Sequence, residues 1–371
     1  MTDSTKHTAL HDEHAALGAS FTDFGGWDMP LKYGSELAEH RAVRTAAGLF
    51  DLSHMGEVRV SGPDAATFLN TALAGNLAAI AVGRAKYSLI CTPEGGIIDD
   101  LISYRLAEDE YLVVPNAGNA PTVLAALQER AAGFDVTVAD ESAETSLVAV
   151  QGPAAQTILH ELVPAEQREL VTELKYYSAA AATVAGTEVL LARTGYTGED
   201  GFELYVPNAQ AAPLWQALLE AGQAHGLIPC GLASRDSLRL EAGMPLYGQE
   251  LTRDLTPYEA GLGPVVSFKK EEDFVGRAAL EARRADGVSR KLVGLRGEGR
   301  RAARGHYPVS VDGSVVGEVT SGALSPTLGY PIAMAYVDNA HAEPGTEVQV
   351  DLRGKPLPFE VVSLPFYKRG E

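Results

Sequence analysis

The chain has 371 residues, 46% hydrophobic and 21% charged, which is enough apolar material for more than one buried core in a soluble globular protein. Asp and Glu number 49 against 30 Lys and Arg, a formal charge of −19. That balance excludes a nucleic-acid backbone as the main partner, since phosphate recognition needs a basic surface, and leaves room only for a local basic pocket.

The polar start, "MTDSTKHTALHDEH", has no apolar core of the kind a secretory signal needs. No run approaches the roughly 18 apolar residues of a membrane span. Cys91 and Cys230 are too few for a disulfide framework or a structural zinc site. The cytoplasm is the expected compartment. Further along, "FDLSHMGEV" (50–58) sets His54 and Met55 just before a strand. "VRVSGPDAATFLN" (58–70) reads as that strand, a Gly-Pro turn and the first turns of a helix, with proline at the opening helical position. "AKYSLICTPEGGIIDDLISYRL" and "EYLVVPNAGN" give three strands, the first two joined by the turn "TPEGG". "APTVLAALQERAA" has the spacing of an amphipathic helix, and "FDVTVAD" that of one more strand.

The pattern then repeats. "VAVQGPAAQTILH" (148–160) aligns without gaps on 58–70, with seven of thirteen positions identical. This predicts two related α+β units about 90 residues apart and packed together, because strands followed by a helix and a strand suit an α+β sandwich better than a doubly wound sheet. The second unit holds "TEVLLA" and "LYVP", two strands joined by "RTGYTGEDGFE" (193–203), about eight linking residues where a hairpin needs two to five. "APLWQALLEAGQAHG" is a helix closing on glycine, and "RDSLRLEAGMPLYGQEL" a short helix running into a Gly-Met-Pro break. From about residue 287 the chain turns to strands and turns alone, a separate all-β module.

Four polar stretches fall at strand ends and loops. A His before a strand, as His54 is, is more often a structural hydrogen-bonder than a catalyst. In "GGIIDDL" (95–101) the glycines permit close backbone approach, and Asp99 and Asp100 must point to opposite faces of the strand. One of them faces inward, which is costly unless it meets a ligand or donor; bonding to local turn amides serves equally well. "LVVPNAGN" (112–119) and the long loop complete the set. No dinucleotide or Walker glycine motif, no His-Glu-x-x-His and no nucleophile elbow occurs, and the nine histidines show no metal-ligand spacing. No metal, flavin or covalent nucleophile is expected.

Taken in order, "FDLSHMGEV", "KYSLI…GGIIDDLI", "ARTGYTGEDGFELY", "CGLASRDSLRLEAGMPLYGQE" and "SGALSPTLGYPIAMAYV" resemble the aminomethyltransferase (T-protein) family of the glycine cleavage system, over nearly the whole chain. The resemblance implies three domains in a cloverleaf around a folate channel: 1–50 with 142–285, 51–141, and a C-terminal all-β barrel or jelly-roll-like domain, 286–371. It implies tetrahydrofolate as co-substrate and the lipoylated H-protein as partner, with 5,10-methylenetetrahydrofolate and ammonia as products. It carries Met55, Tyr87, Val114, Asn116, Tyr196, Glu203 and Arg235 to the folate channel, Glu203 against the pterin edge. Asp100 falls near the reacting nitrogens as the catalytic residue, and Tyr247 is a further contact. Pro115, before Asn116, departs from the family pattern. Two relatives of the same scaffold stand as alternatives: a folate-dependent demethylase, and a non-catalytic folate-binding protein whose Lys-Gly-Cys motif matches neither Cys91 nor Cys230. The flavin-bearing dehydrogenase relatives carry a preceding domain with no counterpart here.

Overall fold

The computed structural model describes residues 5–370; residues 1–4 and 371, at the outer ends of the first and last expected domains, lie outside them. Helix α1 (His11–Ala16) precedes a hairpin of β1 (Ser20–Phe24) and β2 (Trp27–Lys32), then α2 (Glu36–Thr45) and β3 (Ala47–Asp51). Ser35 caps α2, its hydroxyl accepting from the Ala38 amide at 3.4 Å.

The first repeat comprises β4 (Val58–Ser61), α3 (Ala65–Ala72), β5 (Ala85–Cys91), β6 (Ile97–Ala107), β7 (Glu110–Pro115), α4 (Ala120–Arg130) and β8 (Thr137–Asp140). The second comprises β9 (Thr145–Gln151), α5 (Ala155–Leu162), α6 (Arg168–Glu173), β10 (Ala179–Val184), β11 (Thr187–Ala192), β12 (Gly201–Pro207), α7 (Asn208–Gln223) and β13 (Leu227–Pro229). Their sheets run β5-β6-β7-β4-β8 and β10-β11-β12-β9-β3-β13. The block β5-β6-β7-β4 is therefore matched by β10-β11-β12-β9, so the sequence echo marks a duplicated topology.

The two Gly-Pro turns also coincide in backbone. Gly62 has φ +133° and Gly152 φ +131°, and a Cβ would lie 2.4 Å from the Asp135 carbonyl in one and 2.6 Å from the Ala46 carbonyl in the other. Only glycine fits both. Pro63 and Pro153 do not open the helices as expected. The amides of Ala65 and Ala155 bond back to the carbonyls of Gly62 and Gly152, so a turn closes first and each helix starts two residues later.

In the second repeat, strand alternation sends Phe202, Leu204 and Val206 of β12, with Val148 and Val150 of β9, into a core with Ile158 and Leu159 of α5 and Leu214, Trp215 and Leu218 of α7. Glu203 and Tyr205 consequently occupy the opposite face.

After α8 (Leu232–Glu241) and α9 (Arg277–Asp286) come β14 (Arg290–Gly297), β15 (Pro308–Val311), β16 (Ser314–Leu324), β17 (Pro331–Asp338), β18 (Glu347–Asp351) and β19 (Pro356–Val362), closed into a barrel in the order β14-β17-β16-β15-β18-β19. Leu295, Val309, Val319, Ala335, Val350 and Val361 fill it. The fold is α+β with a C-terminal six-stranded barrel. By compactness the chain divides into two units. One holds residues through Leu69, Leu77–Tyr87 and Leu101–Asp236; the other holds Asn70–Asn76, Ser88–Asp100 and the chain from Ser237.

Candidate active site

In the first unit the sheet faces opposite the helices meet in a polar layer. Glu203 is 8% exposed. Its Oε2 accepts from the Thr194 hydroxyl at 2.5 Å and from the Tyr104 hydroxyl at 3.5 Å. Tyr104 and Thr194 are 2.9 Å apart, and the Tyr205 hydroxyl donates to Tyr104 at 3.4 Å. Burial, then the charge of Glu203, pushes the Tyr104 phenol well above its usual range; burial, then Tyr104 and Glu203, does the same for Tyr205. Both stay protonated and can only serve the carboxylate as neutral groups.

Arg235, on α8, lays its guanidinium over the Tyr196 ring, 5.0 Å from the centroid. Its Nη1 is buried without a hydrogen-bond partner. Burial lowers the pKa of this guanidinium, with Glu203 and Tyr196 pulling it back. His54 is buried too, its Nδ1 without a partner and its ring edge-on to Phe24 at 5.3 Å. Burial pushes its pKa down to about 4, Asp51 opposing and Arg235 adding to the shift, so the ring is neutral at pH 7. A buried cationic N–H without an acceptor is expensive, and it stands in the electrostatic range of a carboxylate. This arrangement can receive a flat ligand that offers donors to Glu203 and an acceptor to Arg235.

The long connection 193–200 holds itself together with its charged residues. Arg193 pairs with Asp200 (Nη2–Oδ2 2.6 Å) and also donates to the Leu174 carbonyl and to Gln156. Arg44 donates to the Thr197 carbonyl and pairs with the buried Glu199 at 3.0 Å. Gln151 bridges the Thr194 carbonyl and the Thr197 hydroxyl. At Gly195 a Cβ would sit 2.0 Å from the Gln151 Oε1, so the backbone lies against that amide. Tyr196 and Thr194 are what the loop presents.

The second unit holds Asp100 and Tyr247. Alternation along β6 puts Asp100 on one face with Ile102 and Asp99 on the other with Leu101. Asp99 is fully buried, whereas Asp100 is half-buried. The Tyr247 hydroxyl donates to the Ile97 carbonyl at 2.9 Å, and burial raises its pKa, with Asp99 adding to the rise. Its segment is anchored by buried Arg239, which pairs with Glu250 at 2.8 Å and donates to Ser321 of the barrel, itself 2.6 Å from Glu250.

Residues 10–270 match the family GCVT N-terminal domain, and residues 290–368 match the glycine cleavage T-protein C-terminal barrel domain. This chain belongs to the glycine cleavage T-protein family. It is similar to aminomethyltransferases of Streptomyces coelicolor, 63% identical over 368 residues with 98% of each chain covered, and of Bacillus subtilis, 47% identical with 98% of this chain and 99% of that one covered. Among solved structures it resembles the glycine cleavage system aminomethyltransferase T of Bartonella henselae, with a TM-score of 0.91, 39% identity and 99% of both chains covered. At such identity over the full length, the chain is an enzyme of the same transferase class.

Several details differ from the sequence expectation. Glu203 stands on strand β12, opposite Ala192 of β11, and not in the loop. The inward carboxylate of "IIDDL" is Asp99, because the face it shares with Leu101 is the fully buried one. The close approach at Gly96 is to the chain itself: a Cβ there would meet the Arg253 carbonyl at 2.0 Å. Pro115 ends β7 and packs on Gly56, where a Cβ would be 2.9 Å from its ring, and the Gly56 amide donates to its carbonyl. The proline thus ties the β7 end beside Asn116 to the turn that carries Met55. Val114 is buried; Met55, Tyr87, Asn116 and Tyr196 are half-buried. The sequence reading passed over Tyr104, Thr194, Tyr205 and Glu57. Tyr104 was recoverable, since it lies two and four residues from Ile102 and Asp100 on one strand face.

Proposed function

We propose that this chain transfers the methylene of the aminomethyl group carried on the dihydrolipoyl arm of the H-protein to tetrahydrofolate, releasing ammonia and giving 5,10-methylenetetrahydrofolate. The observation that carries this reading is a buried Arg235 with an unsatisfied Nη1 in the electrostatic range of the buried Glu203. A carboxylate has about four acceptor positions; Thr194 and Tyr104 take two. Two remain for the amine and ring N–H of a pterin edge. The Arg235 Nη1, a buried donor without an acceptor, suits the neighbouring pterin carbonyl.

In this reading Met55, Tyr87, Val114, Asn116, Tyr196 and Tyr247 line the folate. The carbon–sulfur and carbon–amine bonds of the carrier break, two bonds form to folate nitrogens, and the released protons go to the departing ammonia and thiol. The carbon becomes cationic as ammonia leaves. Asp100 holds the folate nitrogens and stabilises that charge. The three-domain division (1–50 with 142–285, 51–141, 286–371) and a cytoplasmic site of action belong to the same proposal.

The test has two arms. Tetrahydrofolate alone should raise the unfolding temperature, by the equivalent of roughly 2.7 kcal/mol at a hundredfold excess over Kd. Aminomethylated H-protein should then release ammonia only with tetrahydrofolate present. An unshifted transition at saturating folate removes the folate reading. A shift without ammonia release, together with turnover of a small sulfonium or O-methyl compound, makes the chain a demethylase.

A further inference from the structure

Among the described residues, one group of three metal-capable side chains lies together: His7, His11 and Asp28, whose candidate ligand atoms all fall within 4.8 Å of one another. The His11 Nε2 is 3.1 Å from the Asp28 Oδ2, and the His7 Nε2 is 3.9 Å from the same oxygen. Ligand atoms about 2.0–2.2 Å from a tetrahedral zinc ion are roughly 3.3 Å apart, close to both separations.

Three pieces of backbone bring these side chains together. His7 follows Lys6, which forms a parallel bridge with Trp27, and the Asp28 amide donates to the Lys6 carbonyl at 2.8 Å. His11 opens α1, and its ring stacks on Phe21 of β1 at 4.7 Å. Asp28 stands in β2. On the other side of the His11 ring, the exposed Asp12 carboxylate lies 3.7 Å from Nδ1, beyond hydrogen-bond distance. The nearby cation, Lys6, lies over the Trp27 ring at 5.3 Å.

We propose that His7, His11 and Asp28 form a binding site for a borderline divalent transition-metal ion, with zinc as the type, which clips the segment before α1 to the β1–β2 hairpin. Two imidazoles and one carboxylate are the donor set such ions prefer, whereas magnesium prefers oxygen ligands and keeps its water. Three protein ligands leave the fourth position to water. The His7 and His11 rings are stacked at 3.9 Å and only 4° from parallel, and parallel rings cannot aim both lone pairs at one ion. Binding therefore turns His7 out of the stack, a movement that its half-exposed side chain permits. The site is independent of the transfer chemistry. Contrary to the expectation that the histidines show no metal-ligand spacing, His7 and His11 in His7-Thr-Ala-Leu-His11 have a His-x3-His spacing.

The experiment is calorimetric titration of the full chain, stripped with EDTA, with zinc chloride, and with magnesium chloride in parallel. About one zinc per chain is expected, with no uptake of magnesium. His7→Ala alters an exposed side chain and leaves the core intact, so it should weaken zinc binding by on the order of tenfold or more, the scale known even for outer-shell losses at metal sites. Asp28→Asn should do the same. His306→Ala, at an exposed His–Glu pair elsewhere, should leave zinc uptake unchanged. Amide exchange at residues 5–11 should slow with zinc in the wild type and not in His7→Ala. No zinc uptake by the wild type, or equal uptake by wild type and His7→Ala, overturns the site.

Discussion

Replacing Glu57 with glutamine should flatten the pH dependence of stability above pH 5. Glu57 is wholly buried, and neither carboxylate oxygen has a hydrogen-bond partner. Burial first, then the charges of Asp140 and Glu141, push its pKa from an ordinary 4.5 to about 9. The folded chain therefore keeps a proton that the unfolded chain releases. With the folded value raised, this contribution is complete below pH 4.5 and is lost progressively as pH climbs towards 9. Each pH unit within that window costs about 1.4 kcal/mol. By pH 7 the loss is about 3 kcal/mol, and between pH 5 and pH 8 it amounts to about 4 kcal/mol. Glutamine has the shape without the proton, so that slope disappears. Its amide adds buried donors of its own, which cost about 1–3 kcal/mol at every pH. The decisive quantity is consequently the slope and not the absolute difference. Urea unfolding of both proteins, followed by circular dichroism from pH 5 to pH 8, measures it. Parallel curves for wild type and variant would falsify the assignment of a neutral, isolated Glu57.

Glu203→Gln replaces a charged acceptor with one that carries unwanted donors, and folate affinity should fall by about 1.5–3 kcal/mol; unchanged folate binding with weakened H-protein binding contradicts the pterin assignment. Asp100→Asn should keep the fold and much of the folate affinity while slowing folate-dependent turnover by about 10²–10³-fold, whereas Asp99→Asn, at the fully buried position, should lower the unfolding temperature and spare turnover of the folded enzyme. If Asp99→Asn is the slower enzyme, the roles are reversed. His54, its pKa pushed down to about 4, contributes stability that is complete above pH 6.5 and lost as pH falls through 4. His54→Phe should therefore unfold less steeply with acid, and an unchanged acid limb would show that the ring is not held neutral.

The duplication and the opposite faces of Asp99 and Asp100 were legible in the sequence, because they depend on local facts; the order of strands in each sheet was not. Gly-Pro after a strand forces the same turn at Gly62 and Gly152, and a period of two places Asp99 and Asp100 on opposite sides whatever the surroundings. The all-β texture after residue 287 likewise follows from composition and closes as the barrel. What alternation cannot say is which face becomes dry, since that is settled by elements far away in the chain. On β6 Asp99 is fully buried and Asp100 half-buried. Tyr104 reaches Glu203 across 99 residues of sequence, Arg44 claims Glu199 across 155, and Glu57 is left in a layer without a donor. These are outcomes of two sheets meeting, and with them come the pKa shifts of Glu57, His54 and Arg235, because desolvation depends on everything packed around a group and not on its neighbours in sequence.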